Sequence, residues 1–278
     1  MKGKICIPLL VALIVMTGCR RDHEYYILDI ENPGQIAIPE DIEPPVNITI
    51  IPDDDDGGDG IEVNPGDIID VEEGNYLMVV TRHDQGMVIR RTIATLPAAQ
   101  DGLVPVAPPL LADVVKVTVY ANKITIPLIN LRPMTRQVHL RLSVAGVTLT
   151  NIASVRATLT GVANVLNLQH GFGSVSATGN THSSVQMQGY QAGSLLEFRL
   201  LGTMPAVDAT MTIELTTTGG NVHRLQTSVA SALSGFNKGT PANPVLLHAD
   251  LIVKTGAGMS GTIKPWKPGW EGEIEATE

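Results

Sequence analysis

Residues 136–145 alternate so strictly that they admit one local structure. Val138, Leu140, Leu142 and Val144 fall on one side, and Gln137, His139, Arg141 and Ser143 on the other. That is the period of a half-buried antiparallel strand. The same rule fits residues 115–120, where Val115, Val117 and Val119 oppose Lys116, Thr118 and Tyr120. It fits residues 211–216, with Met211, Ile213 and Leu215 inward, and residues 247–254, with Leu247, Ala249, Leu251 and Val253 inward. Turns rich in glycine, such as Gly171-Phe172-Gly173 and Thr218-Gly219-Gly220-Asn221, separate the strands. The best helical candidate, residues 229–233, is one turn long and stops at Gly235. The expectation is an all-β protein of two tandem antiparallel β-sandwich domains. Only 4% of residues are aromatic, which favours packing by β-branched side chains over the aromatic platforms that hold sugars or single-stranded nucleic acid.

The first nineteen residues bear on location. Lys2 and Lys4 precede an apolar run from Ile5 to Met16, which closes on Met16-Thr17-Gly18-Cys19. A charged start, an apolar stretch of about a dozen residues and small residues before a cysteine are what a lipoprotein signal peptidase reads. The run is short of the roughly 20 apolar residues a membrane span needs, and Arg20, Arg21 and Asp22 end it. The reading is a signal peptide over residues 1–18, cleavage before Cys19, and lipidation of Cys19 by thioether-linked diacylglycerol and an amide-linked acyl group such as palmitate. Cys6 is lost with the signal, so the mature chain keeps one cysteine, which is acylated. No disulfide, cysteine zinc site or thiol nucleophile is then expected.

Charge divides the chain. Residues 22–74 hold seventeen Asp or Glu and no Lys or Arg, whereas residues 75–270 hold fifteen basic and seven acidic residues. Nucleic acid is excluded as a partner, because the mature chain carries 28 acidic residues against 17 basic ones and the basic ones are scattered. Residues 19–45 read as a tether, broken by Pro33-Gly34, Pro39 and Pro44-Pro45. Strand pattern begins at residues 46–50 and resumes at residues 74–80. The expected divisions are an N-terminal sandwich over residues 46–121 and a C-terminal sandwich over residues 122–278.

Catalytic and ligand-binding motifs are sparse. Gly256-Ala257-Gly258-Met259-Ser260-Gly261 matches the letters of a dinucleotide fingerprint, but Pro265, Pro268 and Gly269 follow where a helix would have to open. It reads as a turn. The run Asp53-Asp54-Asp55-Asp56-Gly57-Gly58-Asp59-Gly60 clusters carboxylates as calcium requires, yet glycines occupy the positions of further ligands and Glu62 comes too early. It reads as a solvated acidic turn. Histidines 23, 83, 139, 170, 182, 223 and 248 show no paired metal spacing, and His139 and His248 fall on the solvent faces of their strands. No serine sits in a nucleophile elbow, and carboxylates in the body are too few for paired acid and base work. The reading is a protein that is not an enzyme, with no cofactor or metal.

Three stretches carry a resemblance. Glu73-Gly74-Asn75-Tyr76-Leu77-Met78-Val79-Val80-Thr81-Arg82-His83-Asp84 puts a short turn and a tyrosine before an apolar strand that ends in a His-Asp pair. Residues 153–163 form a strand with a Gly-Val turn, and Gly261-Thr262-Ile263-Lys264-Pro265-Trp266 a closing strand. Over residues 46–270 the chain resembles the fimbrillin-like lipoproteins of Bacteroidales, in particular the minor anchor-subunit family of type V fimbriae. The resemblance implies two transthyretin-like sandwiches, a lipid anchor in the outer membrane, exposure at the cell surface, and fimbrial protein subunits as partners joined by β-strand complementation. The alternative reading is a surface lipoprotein binding module for glycan or host protein, for which Trp266, Trp270, Tyr190 and Phe172 are the candidate loop aromatics.

Overall fold

The alternation at residues 136–145 is a ten-residue strand in the computed structural model, which describes residues 33–53, 60–146, 151–191, 193–254 and 258–265. In chain order the strands are β1 (Gly34–Ala37), β2 (Asn47–Pro52), β3 (Ile61–Val63), β4 (Ile68–Val71), β5 (Gly74–His83), β6 (Val88–Arg90), β7 (Ile93–Thr95), β8 (Leu103–Val104), β9 (Leu110–Val119), β10 (Ile124–Thr125) and β11 (Arg132–Pro133). They continue as β12 (Arg136–Ala145), β13 (Ile152–Thr160), β14 (Val165–Asn167), β15 (Val175–Ser176), β16 (His182–Gln188), β17 (Leu195–Leu200), β18 (Thr210–Thr217), β19 (Val222–Ser228), β20 (Val245–Val253) and β21 (Met259–Pro265). The helical candidate is one turn, α1 (Ala230–Leu233). The protein is all-β.

Two sheets enclose a first core. One has the order β10-β1-β4 and the other β11-β9-β5-β2-β3. Ile36 of β1 and Val71 of β4 meet Ile48 and Ile50 of β2, Met78 and Val80 of β5, and Val117 and Val119 of β9. A second pair, β17-β12-β20-β21 and β19-β18-β13-β16-β8, encloses a larger core. There Val138, Leu140 and Leu142, Phe198, and Leu247, Ala249 and Leu251 face Val155, Ala157 and Leu159 with Met211, Ile213 and Leu215. The inward members of the period-2 stretches are the residues that reach these cores.

β5 departs from alternation. From Tyr76 to Thr81 every residue is buried, because Met78 and Val80 face the first core while Val79 joins the larger one. A strand covered on both faces reads as a continuous apolar run, and Tyr76-Leu77-Met78-Val79-Val80 is such a run.

The sheets are mainly antiparallel, as expected, and include three parallel pairs: β1 with β10, β12 with β20, and β16 with β8. The expected boundaries shift. Residues 33–45, read as tether, contain β1, held between β10 and β4. Its four residues are too few to register a period, and the flanking prolines hide it, but Ile36 is fully buried and Ile38 nearly so. Sheets of the first pair also draw on β10 and β11, beyond residue 121. The segment between β5 and β9 turns instead to the larger core. There β7 pairs with β14 and β8 with β16, while Asn164 donates to the Leu96 carbonyl and accepts from the Thr178 amide.

Arg136 fastens the connection before β20. Its guanidinium donates to the carbonyls of Asn243 at 2.7 Å and Phe236 at 2.8 Å, and lies 5.3 Å from the centre of the Phe236 ring. Gly239 passes so close that a Cβ there would fall 2.0 Å from the guanidinium. Among the described residues no helix is long and apolar enough to cross a membrane.

Candidate functional site

A β-sandwich carries its unpaired backbone at its sheet edges, where N–H and C=O groups lack ladder partners. The edges differ in how they are closed. β3, β6, β10, β11 and β15 are two or three residues long. The outer side of β17 is met by the Ala107 amide, which donates to the Arg199 carbonyl at 2.8 Å. β21 ends on Lys264 and Pro265, a charge and a residue that cannot donate.

β16 is different. β13 pairs with it along its whole length, but β8 meets its other side only at His182 and Ser183. Among the described residues no strand pairs with the outer side of residues 184–188. Val185 and Met187 are half-buried against the larger core, while Gln186 and Gln188 are exposed. Arg156 donates to Gln186 at 3.0 Å, and the Thr158 and Ser184 hydroxyls lie 3.0 Å apart, so the strand is held from its paired side. The sequence His182-Ser183-Ser184-Val185-Gln186-Met187-Gln188 gave little sign of this edge, since its inward positions include the wholly buried Ser183.

Among the described residues, those singled out in the sequence do not converge. Cys19 lies outside the described residues, as do Asp54 to Asp59 of the acidic loop, Gly256 and Ala257 of the fingerprint, Trp266 and Trp270. Asp53 pairs with Lys116 at 3.9 Å across an exposed edge. Tyr190 is not a displayed loop aromatic: it is 9% exposed, and its hydroxyl donates to the Leu142 carbonyl at 2.9 Å. Phe172 leans on Phe236 with ring centres 5.9 Å apart. Two of the four aromatics named for a binding module are thus committed to packing.

His139 and His248 are half-buried rather than openly solvated. His139 Nε2 lies 3.3 Å from Gln137 and 3.7 Å from Glu197. His248 Nε2 stands 3.1 Å from the Ser143 hydroxyl and 2.8 Å from Asp250 Oδ1. A nucleophile relay needs its hydroxyl and carboxylate on opposite ring nitrogens. Here both sit on one nitrogen, and Lys264 Nζ continues the row 3.1 Å from Asp250 Oδ2. The group is a polar ladder across β12, β20 and β21.

That ladder gives a pH dependence. Burial pushes the Asp250 carboxyl up, but its bond to Lys264 and the charge and hydrogen bond of His248 outweigh this and hold it below the usual carboxylate range. A carboxylate depressed on folding adds stability in full above the unfolded value of about 4, and loses it as pH falls through the folded value. Asp250→Asn is therefore expected to be less stable than the parent at pH 7 and equal to it once both are acidified below the folded value. Urea unfolding at the two pH values checks it, and an unchanged difference at acid pH would contradict it.

The described residues thus form an all-β sandwich in which part of one side of β16 is left unpaired. The chain shares that fold with a candidate adhesin from Bacteroides ovatus: the TM-score is 0.53 at 15% identity, covering 91% of this chain and 99% of that one. A weaker likeness, with a TM-score of 0.47 at 13% identity over 84% of this chain and 98% of the other, is to the fimbrial anchor protein Mfa2 from Porphyromonas gingivalis. No protein-family model and no curated protein sequence matches the chain. The fold agrees with the resemblance to fimbrillin-like proteins of Bacteroidales carried by residues 46–270.

Proposed function

We propose that this protein is a lipid-anchored structural subunit of a cell-surface fimbria, an anchor or minor subunit, held in the outer membrane through Cys19. The observation that carries the reading is the end-to-end likeness of fold to the Bacteroides ovatus candidate adhesin. The free side of β16 supplies a means of assembly. A partner subunit's extended segment adds there as a strand, its backbone completing the ladder and its alternate side chains packing beside Val185 and Met187. The partners are protein subunits, and the role calls for no catalytic group.

Mild-detergent pull-down of the tagged protein from its native cells, with mass spectrometry of the co-purifying chains and electron microscopy of deletion mutants, tests the proposal. Recovery with β-rich subunits, together with filaments shed from cells lacking the gene, is the expected result. Recovery of the protein alone, from cells whose filaments are unchanged by its deletion, would overturn it.

A further inference from the structure

The connection from β10 to β11 displays an unusual row of side chains. Ile124, Ile126 and Leu128 are 58%, 70% and 88% exposed, on alternate residues of an extended segment whose other members, Thr125, Pro127 and Ile129, turn inward. Ile129 and Leu131 pack on the first core. Both ends are fixed. Ile124 and Thr125 pair with β1, the Asn130 amide donates to Asp113 Oδ2 at 2.7 Å, and Arg132 and Pro133 pair with β9. The row is thus a braced ridge whose aliphatic side chains cannot retreat inward. Contiguous exposed apolar surface of this sort marks a contact site.

We propose that the ridge rests on a lipid surface, the membrane to which Cys19 tethers the chain; the inference relies on the lipid-anchor reading given above. The path of the chain favours this occupant. The Asn122 amide donates to the Pro33 carbonyl at 3.0 Å and the Gln35 amide to the Lys123 carbonyl at 2.8 Å, so the chain leaves toward Cys19 beside the start of the ridge. Thirteen residues lie between Cys19 and Pro33. A flexible chain of that length spans about 20 Å, comparable with the extended length of roughly 20 Å from Asn122 to Leu128. The ridge lies within the tether's ordinary reach of the bilayer.

The flanking residues suit an interface between water and lipid. Tyr120 is 52% exposed, and Lys123 Nζ sits 5.2 Å from the centre of its ring. An aromatic with a polar tip beside a long cationic side chain is the pairing that settles at headgroup level. Ile126 and Leu128 line one groove together with Asp41, Glu43 and Arg82, and with two carboxylates beside it the attraction has to come from the aliphatic row rather than from anionic headgroups. The contact is therefore expected to survive high salt.

The test uses the mature chain with Cys19→Ser, held by an N-terminal histidine tag on vesicles of phosphatidylcholine and a nickel-chelating lipid. A single environment-sensitive dye is placed at Leu128→Cys, or at Val222→Cys on β19 as reference. A blue-shifted, brighter emission at position 128 and none at 222, unchanged by salt, is the expected result. Ile126→Ser should weaken the immersed state roughly tenfold. No shift at 128, or equal shifts at both positions, overturns the proposal, and a shift at 128 that appears only on adding a fimbrial subunit overturns it in favour of a protein partner. The artificial tether keeps this outcome independent of whether Cys19 is acylated in cells, which the partitioning of the native protein reads separately.

Discussion

Cys19→Ala is expected to move the protein from the membrane fraction to the soluble one. The reading rests on Met16-Thr17-Gly18-Cys19, which places the cysteine first in the mature chain. Each buried methylene contributes about 0.8 kcal/mol, so one acyl chain holds a protein only reversibly, while the several chains of a lipidated N-terminal cysteine make release negligible. Removing the sulfur removes the thioether and the recognition signal together. The ridge at Ile124, Ile126 and Leu128 is too small to substitute, since a few aliphatic side chains bury far less than acyl chains do. Ultracentrifugation of lysed cells with labelled palmitate checks both points. A Cys19→Ala protein that stays sedimentable and still takes up palmitate would refute the anchor.

Phe198→Ala should cost about 3–5 kcal/mol of stability. Phe198 is wholly buried on β17, opposite Val138 of β12, in the larger core. Truncation opens a ring-sized void between sheets that Leu140, Leu196 and Leu247 cannot close without leaving their own packing, and a lost ring is charged for both its transfer and the cavity. Against a typical total of about 5–15 kcal/mol, this is a large share. Ile252→Ala on β20, where the side chain is 53% exposed, should stay within about 0.5 kcal/mol of the parent. Denaturant midpoints of the two variants decide the matter, and similar shifts for both would contradict the assignment of the core.

What was legible in the sequence was the face each residue presents. Val138, Leu140 and Leu142 point inward as the alternation required, and residues 229–233 gave one helical turn. What was not legible was the neighbour. A period of two is the same whether the adjacent strand runs with or against it, so nothing at residues 136–145 announced the parallel pairing with β20. Short elements failed for a different reason. β1 occupies four residues between prolines, and β8 two, so their burial depends on distant strands and leaves no local period. Tyr190 follows Gly189 and looks like a loop tip, yet its ring crosses to the Leu142 carbonyl. The open side of β16 is a property of what fails to pair with it, and the sequence of a strand does not record that.

The parallel pairing of β12 with β20 also sets an order of events. Val138 meets Val245 across the ladder, and Ala145 meets Ile252, so more than a hundred residues must be in hand before that half of the sheet can close. Such a closure is slow to nucleate, since the loop entropy falls due before the contacts form. Synthesis from the amino end delivers β12 well before β20, so β12 waits with an unfilled side until the later strand arrives to seal the same backbone.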